Sequence, residues 1–449
     1  EIASMLARPH MNYMIVGDPA QAIYGFRGSD PSGLLGFEAA WNARKILMHR
    51  NYRCGDRIAA AANGSLLAMP TTSRLDMTIT PMRGVEGEVK GTIYADMDAE
   101  GVGVVERMRE ANASGQRWSD MVVLYRTNAQ SRACEEALLS ARIPYVVIGG
   151  TNFYDRKEVK DLLAYLRVAA GRCEAPDVRR SLNSPFRFLG KAFQDRVEAA
   201  GDRVGFREKP RWTEIVRGVM GQAGLQQRQR QSVAEWCAMI DGISRQIDTS
   251  RTAIREATEA DNAPALLAAI ADAPRPARIF EEILLDTDYV RWLTRDEGTE
   301  SPENNRVSNV RELVRAAERF ATVDELLDYI EEVLAAARAA ADDEDVNRVT
   351  LMSIHRSKGL EWSRVHLIGC NEKILPHGRA EVVEERRLFY VAITRARDVL
   401  EVSSVGLATF SNRVVNLEPS TFLAEAGIAM QSAEVASNES VATVAEVAE

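Results

Sequence analysis

Residues Val349 to Val402 read VTLMSIHRSKGLEWSRVHLIGCNEKILPHGRAEVVEERRLFYVAITRARDVLEV. Three short apolar runs punctuate this stretch, at Val349 to Ile354, Val365 to Ile368 and Val399 to Val402. Their β-branched content and lack of polar alternation predict strands buried on both faces. Between the last two, Glu384 to Thr394 spaces its apolar residues three and four apart, which predicts a helix. Alternation of such strands and helices implies a parallel α/β sheet.

Working outward, the same pattern recurs upstream. Met14 to Val16, Met121 to Tyr125 and Tyr145 to Ile148 read as further buried strands, and Arg132 to Ala141 and Lys157 to Ala170 (KEVKDLLAYLRVAA) read as helices. From about Asp177 to about Asp345 the strand signal vanishes and the text turns helical, as in VDELLDYIEEVLAAARAAA. The expected organisation is therefore one α/β domain, residues 46–176 and 346–428, interrupted by an all-helical insertion, residues 177–345. Gly221 to Ser232 (GQAGLQQRQRQS) reads as a solvated loop or helix face. The tail, residues 429–449, lacks aromatics and has little to bury, so disorder is expected there.

A chain of 449 residues, 46% of them hydrophobic, can support two or three cores and reads as a soluble globular protein. No stretch reaches the ~20 apolar residues of a membrane span, and the N-terminus lacks a secretory pattern, so a cytoplasmic protein with no membrane contact is expected. Cys54, Cys134, Cys173, Cys237 and Cys370 are odd in number and far apart, which argues against disulfides or a zinc site; no metal ligands are predicted. The formal charge of -9 leaves nucleic acid binding to a local groove. The sequence opens without methionine and runs straight into Tyr13 to Val16, so residues 1–45 read as the end of a preceding domain, and the whole as a fragment or one piece of a split protein.

The chemistry gathers around Val16 to Asp30, VGDPAQAIYGFRGSD. Small turn residues, an amide, two aromatics and an arginine suit a loop that faces both phosphate and base. A glutamine there can orient a water or sense a γ-phosphate, and aromatics stack on bases of any identity. A loop with a structural Tyr and Phe explains the residues equally well.

This segment resembles motif III of UvrD/Rep/PcrA-type superfamily 1 DNA helicases, typically V-G-D-x-x-Q-S-I-Y-x-[FW]-R-G-A. The resemblance continues in order: Leu47 to Asn63 (LMHRNYRCGDRIAAAAN) is similar to motif IV, Val122 to Arg132 and Pro144 to Arg167 to the segments that follow it, Val349 to Trp362 to motif V, and Glu384 to Arg397 (EERRLFYVAITRAR) to motif VI. It implies a RecA-like motor domain carrying the helical insertion, with a remnant of a first RecA-like domain at the N-terminus. By the same resemblance Gln21 would sit near the γ-phosphate of ATP, and Arg53 and Arg395 would act as arginine fingers. Tyr52 would stack on adenine, and Gly359 and Glu361 would complete the nucleotide side, Glu361 by accepting from the ribose. Tyr24, Phe26, Arg27, Asn128, His355 and Phe410 would contact single-stranded and partly duplex DNA. Taken alone, each has a blander explanation: an arginine in R-N-Y-R or T-R-A-R as an ion-pair partner, His355 as a turn residue, Phe410 as core.

Departures accompany the matches. Against T-I-H-S-A-K-G-L-E, Ser353, Arg356 and Ser357 replace Thr, Ser and Ala. No G-x-x-x-x-G-K-[ST] loop and no D-E-x-Q-D segment occur in these residues, so the phosphate cradle and the Mg2+ ligands would come from elsewhere, such as an upstream polypeptide. The resemblance implies the C-terminal half of an ATP-dependent 3'-5' helicase, inactive alone. The competing expectations are a helicase-derived module that binds DNA or protein without catalysis, and, ranked last, a fused nuclease.

Overall fold

The structure is a computed structural model, and it describes residues 2–7, 10, 12–25, 28–148, 152–204, 211–222, 224–296, 306–341, 347–378, 380–410 and 413–433. Seven strands form the main sheet: β1 (Glu88–Tyr94), β2 (Met121–Tyr125), β3 (Tyr145–Val147), β4 (Val349–Ser353), β5 (Trp362–Leu367), β6 (Ala396–Val405) and β7 (Met430–Ser432). Their order is β7-β1-β6-β5-β2-β4-β3, and every pairing is parallel. This is the expected RecA-like α/β architecture. The interior strand β2 is buried at every residue because helices cover both faces. On one face lie α1 (Asp56–Leu67) and α8 (Val382–Ile393), over a core containing Val122, Leu124, Val365, Leu388 and Leu400. On the other lie α2 (Met97–Ala113), whose N-cap Asp96 accepts from the amides of Asp98 and Ala99, and α3 (Ser131–Ser140), over Val104, Met121, Val123 and Leu351.

Two expectations need correcting, and one strand was missed. Met14 to Val16 is extended but forms no strand: Met14 and Val16 are 82% and 80% exposed, and no described strand lies beside them. A β run cannot satisfy its own amides, so the apolar signal alone does not make a strand. Disorder from residue 429 fails at its start, because Met430–Ser432 pairs with Gly91, Thr92 and Ile93 as an edge strand; residues 434–449 lie outside the described residues. β1 went unread because Lys90 and Gly91 break its apolar run, yet it is flanked by β6 and β7.

Between β3 and β4 every described element is a helix or short turn. The helical core takes in Phe153, Tyr154 and all of α4 (Lys157–Ala169), so it begins ahead of the boundary expected at 177. It continues through α5 (Ala175–Asn183), α6 (Gln227–Glu259, starting within the expected polar loop) and α7 (Arg306–Ala317). A block of charges joins this body to the sheet domain. Arg132 of α3, fully buried, donates to Glu136 and to Asp98 at 2.5 Å each and also bonds Glu312 of α7, while Arg315 and Arg319 add bonds to Glu312 and Glu136. Each charge of this block has a partner of opposite sign, which offsets the cost of burying it. No described helix is long and apolar enough to cross a membrane.

Glu100 of α2 lies buried beneath the end of β5, accepting from the Gly369 amide at 2.9 Å and the Ser403 hydroxyl at 2.6 Å. Burial raises its pKa from 4.5 to about 7, against the pull of those two donors. The folded chain therefore holds this proton more tightly than the unfolded chain. The stabilisation is complete below the unfolded value and is lost as pH rises through the folded one. Denaturant titrations between pH 5 and 8 should show wild type losing on the order of 3 kcal/mol from this group, and Glu100→Gln should flatten that part of the slope.

Candidate nucleotide and nucleic-acid site

Strands β4 and β5 are both parallel to β2 and flank it, so the chain must return from the carboxyl end of β4 to the amino end of β5. Residues 354–361 alone make that return. A parallel crossover usually takes about a dozen residues or more, and this one stays close to the sheet beneath α8. It starts as a 3-10 turn, Ile354–Ser357, with Ile354, His355 and Ser357 buried, and passes through Gly359 at φ +92. That angle favours glycine. His355 is thereby left at one edge of the sheet and Glu361 at the other.

At the Glu361 edge the predicted nucleotide residues come together. Arg53 donates through Nε to Glu361 at 2.6 Å and through Nη1 to the Thr394 carbonyl at 3.2 Å. Arg397 approaches the other Glu361 oxygen at 3.7 Å. The hydrogen bond from Arg53 holds the Glu361 carboxyl below its usual range. Tyr52 sits beside this cluster, 67% exposed, with its ring free of the core.

Arg395 differs from its neighbours in having no carboxylate. It is 1% exposed, and it donates only to neutral acceptors: the Val391 carbonyl at 2.9 Å, the Leu360 carbonyl at 3.0 Å and the Thr394 hydroxyl at 3.1 Å. Among the described residues no acid lies within ion-pair distance of it. Burial, and then the adjacent Arg53 charge, draw its pKa down to about 10. By contrast Arg126, equally buried, is paired with Glu385 at 2.8 Å. A buried guanidinium that carbonyls satisfy and no anion neutralises is a ready receptor for an anion.

Gln21 closes the cluster from the N-terminal segment. It ends a short 3-10 turn, Pro19–Gln21, capped by Asp18, and its amide donates to Asp18 at 2.7 Å. The Gln21 carbonyl accepts from the Lys358 ammonium at 2.8 Å, and that ammonium also lies 5.4 Å from the centre of the Tyr24 ring. Asp18 and Arg395 are the charges that bear on Lys358. The segment docks through Ala20 and Ile23, both buried in the sheet core.

On the other side of Lys358 are the residues predicted for DNA. Tyr24 donates its hydroxyl to the His355 carbonyl at 2.9 Å, and the two rings lie 6.4 Å apart. His355 is 3% exposed and covered by Tyr24, so its ring is not presented directly to a ligand. Asn128 follows the carboxyl end of β2, half-buried, in a turn closed by a Thr127–Gln130 capping box. Because Tyr125 pairs with Ser353, Asn128 and His355 share one sheet edge. Phe26 and Arg27 lie outside the described residues. Phe410 ends a short strand, Leu407–Phe410, that pairs with Arg413–Asn416 in a ladder separate from the main sheet.

Sequence reasoning passed over two residues that hold the site together. One is Lys358, although it stands next to the glycine of the same motif. The other is Glu384, which accepts from the Gly25 amide at 2.8 Å. A Cβ on Gly25 would meet that carboxylate at 2.9 Å, so a larger residue would push the Glu384 side chain aside and lengthen this bond. Among the described residues no set of three or more His, Cys, Asp or Glu is grouped to hold a metal.

The family resemblance is matched by direct comparison. The model of the UvrD-like helicase C-terminal domain matches residues 46–406, and that of the UvrD/REP helicase N-terminal domain matches residues 1–42. The chain belongs to the UvrD-like helicase family. Among its relatives are proteins named ATP-dependent DNA helicase PcrA, from Staphylococcus epidermidis (29% identical over 439 residues) and from Staphylococcus aureus (30% identical over 456 residues). In each case the match takes in 94% of this chain and 55% of the relative, so the chain spans about half the length of these proteins.

Arg395 also has a structural duty. Arg395→Ala takes the guanidinium donor from the Leu360 carbonyl and leaves the Val391 carbonyl to the Thr394 hydroxyl, and should lower stability by about 1 to 3 kcal/mol in urea titrations. Arg395→Lys, which keeps one charged donor, should lose less. An equal loss in both would mean that the fork geometry itself holds the motif.

Proposed function

We propose that this chain forms the C-terminal half of an ATP-dependent DNA translocase and helicase, moving 3' to 5', with ATP bound where Gln21, Arg53, Lys358 and Arg395 converge. The observation that carries the reading is Arg395, a buried arginine with neutral partners only, set beside two further cations. Such a set suits the three charged oxygens of a terminal phosphate, and arginine fingers are worth ~10³ to 10⁵ in rate in other nucleotide hydrolases. Arg53 would leave Glu361 for the phosphate, freeing that carboxylate for the ribose, while exposed Tyr52 offers a face to adenine and Gly359 lets the backbone pass close by. The phosphate loop and the Mg2+ ligands would lie outside these residues, in a preceding part of the same protein or in a separate upstream polypeptide.

In this reading residues 1–45 end the first motor domain, the seven-stranded sheet and its covering helices make the second, and the helical body, which takes in α4, is an insertion. The exposed Met5, Leu6, Met14, Val16, Ile46 and Met48 would then face the rest of the first domain. A single DNA strand would run over Tyr24, Phe26 and Arg27 and past Asn128, His355 and Phe410. The connection 354–361 reaches both sides, so closure on nucleotide at Glu361 would shift Tyr24 through the His355 carbonyl.

The test is DNA-stimulated ATP hydrolysis by the chain mixed with a polypeptide that carries the phosphate loop and the acidic segment. Activity should appear only in the mixture, and Arg395→Lys should lower kcat about a thousandfold while leaving DNA affinity unchanged. Absence of activity in a mixture shown to associate would reduce the chain to a binding module.

A further inference from the structure

Arg83 lies outside the stretches of motif resemblance, on the segment that follows Thr80 and Pro81, whose backbone pairs in parallel with Arg50 and Asn51. That segment cradles the loop bearing Tyr52 and Arg53. The Met82 amide donates to the Asn51 carbonyl at 2.8 Å, and the Val85 and Glu86 carbonyls accept from the Asp56 and Arg57 amides at 2.9 and 2.8 Å. The Arg83 side chain then bridges this loop to the strand β6. Its Nη1 donates to the Arg53 carbonyl at 2.8 Å and to the Arg397 carbonyl at 2.9 Å, and its Nη2 meets the Asp398 carboxylate at 2.7 Å. The other Asp398 oxygen accepts from the Ser363 hydroxyl at 2.7 Å. Arg397 and Asp398 closely follow Arg395, and Ser363 closely follows Glu361. One guanidinium therefore joins the three stretches of chain that supply Arg53, Arg395 and Glu361.

The Arg53 side chain also fastens its loop to its neighbours, through Glu361 and the Thr394 carbonyl. A phosphate that draws Arg53 away takes both of those bonds. The ties left between the Arg53 loop and β6 are then the Gly55 amide on the Arg397 carbonyl, at 2.9 Å, and the Arg83 bridge. The Arg53 amide stays held by the Asn51 side chain at 2.9 Å and its carbonyl by Arg83, so the side chain can turn on a fixed backbone. The Arg83 charge is matched by Asp398, which makes the bridge a device for placement and not a further phosphate ligand. A planar fork suits that work, since it can hold two carbonyls and a carboxylate at once. We propose that Arg83 is a positioning residue for ATP hydrolysis, one that sets the spacing between Arg53 and Arg395 once Arg53 has turned to the phosphate. The inference rests on the proposed function for the identity of that phosphate.

The test uses the full chain in complex with a polypeptide bearing the phosphate loop, with single-stranded DNA present, at a temperature where circular dichroism shows every variant folded. It reads kcat and KM for ATP. Arg83→Ala should lower kcat by about tenfold to a hundredfold, the scale of a small misplacement of a reacting group, and should change KM by less than about threefold. Arg83→Lys, which keeps the charge on Asp398 but not the fork, should recover only part of kcat. A second background separates positioning from mere folding. Arg53→Lys lowers kcat by itself, and because Arg83 acts through Arg53, adding Arg83→Ala to it should cost about twofold or less. An equal loss in both backgrounds, an unchanged kcat in Arg83→Ala, or full recovery by Arg83→Lys overturns the inference and leaves the proposed function standing. No hydrolysis by a wild-type complex shown to associate overturns both.

Discussion

The whole site depends on how little chain joins β4 to β5. With only residues 354–361 to recross the sheet, the connection cannot bulge away; its first turn packs against α8 and its backbone groups are spent on neighbours. Each neighbour that takes one of those groups is a functional candidate. The His355 carbonyl receives Tyr24, the Leu360 carbonyl receives Arg395, and Lys358 reaches the Gln21 carbonyl. A displacement at one end of so short a segment cannot be absorbed by slack in the middle. Nucleotide chemistry at one sheet edge and strand contact at the other would thus be coupled by the length of the connection and need no separate relay.

Charge bookkeeping distinguishes this edge from the rest of the molecule. Elsewhere buried arginines are matched: Arg126 by Glu385, and Arg132 by Asp98, Glu136 and Glu312. Those pairs fix architecture, the first within the sheet domain and the second between that domain and the helical body. Arg395 has the same burial and, among the described residues, no acid within ion-pair distance, and Arg53 beside it makes matters worse. Its three hydrogen bonds to neutral oxygens hold the guanidinium in place without neutralising it. The same bonds make it part of α8's C-terminal architecture, so its loss would be felt in stability as well as in chemistry.

Much of this was legible in the sequence, and the limits have physical causes. Met121–Tyr125 and Val349–Ser353 could be read because burial on both faces leaves continuous apolar runs. Met14 to Val16 has the same composition and no strand, since pairing is decided by residues distant in sequence. Met430–Ser432 is too short and too polar to announce itself and exists because Gly91 admits it: the Ala429 carbonyl lies 2.5 Å from where a Cβ on Gly91 would be. Within the site, Arg53, Glu361 and Arg395, which stand far apart in the sequence, come together. What sequence could not give was which groups were already occupied. His355 lies under Tyr24, and Lys358 is the bridge between the two clusters.

The central claim is that the nucleotide's base and terminal phosphate meet this chain at Tyr52 and Arg395. Photolabelling with 8-azidoadenosine triphosphate tests it most directly, in a complex of this chain with a polypeptide bearing the phosphate loop, in the presence of single-stranded DNA. The account predicts label on the peptide containing Tyr52, lost on competition with ATP. Label confined to the added polypeptide, with none between residues 50 and 56 of this chain, would contradict it.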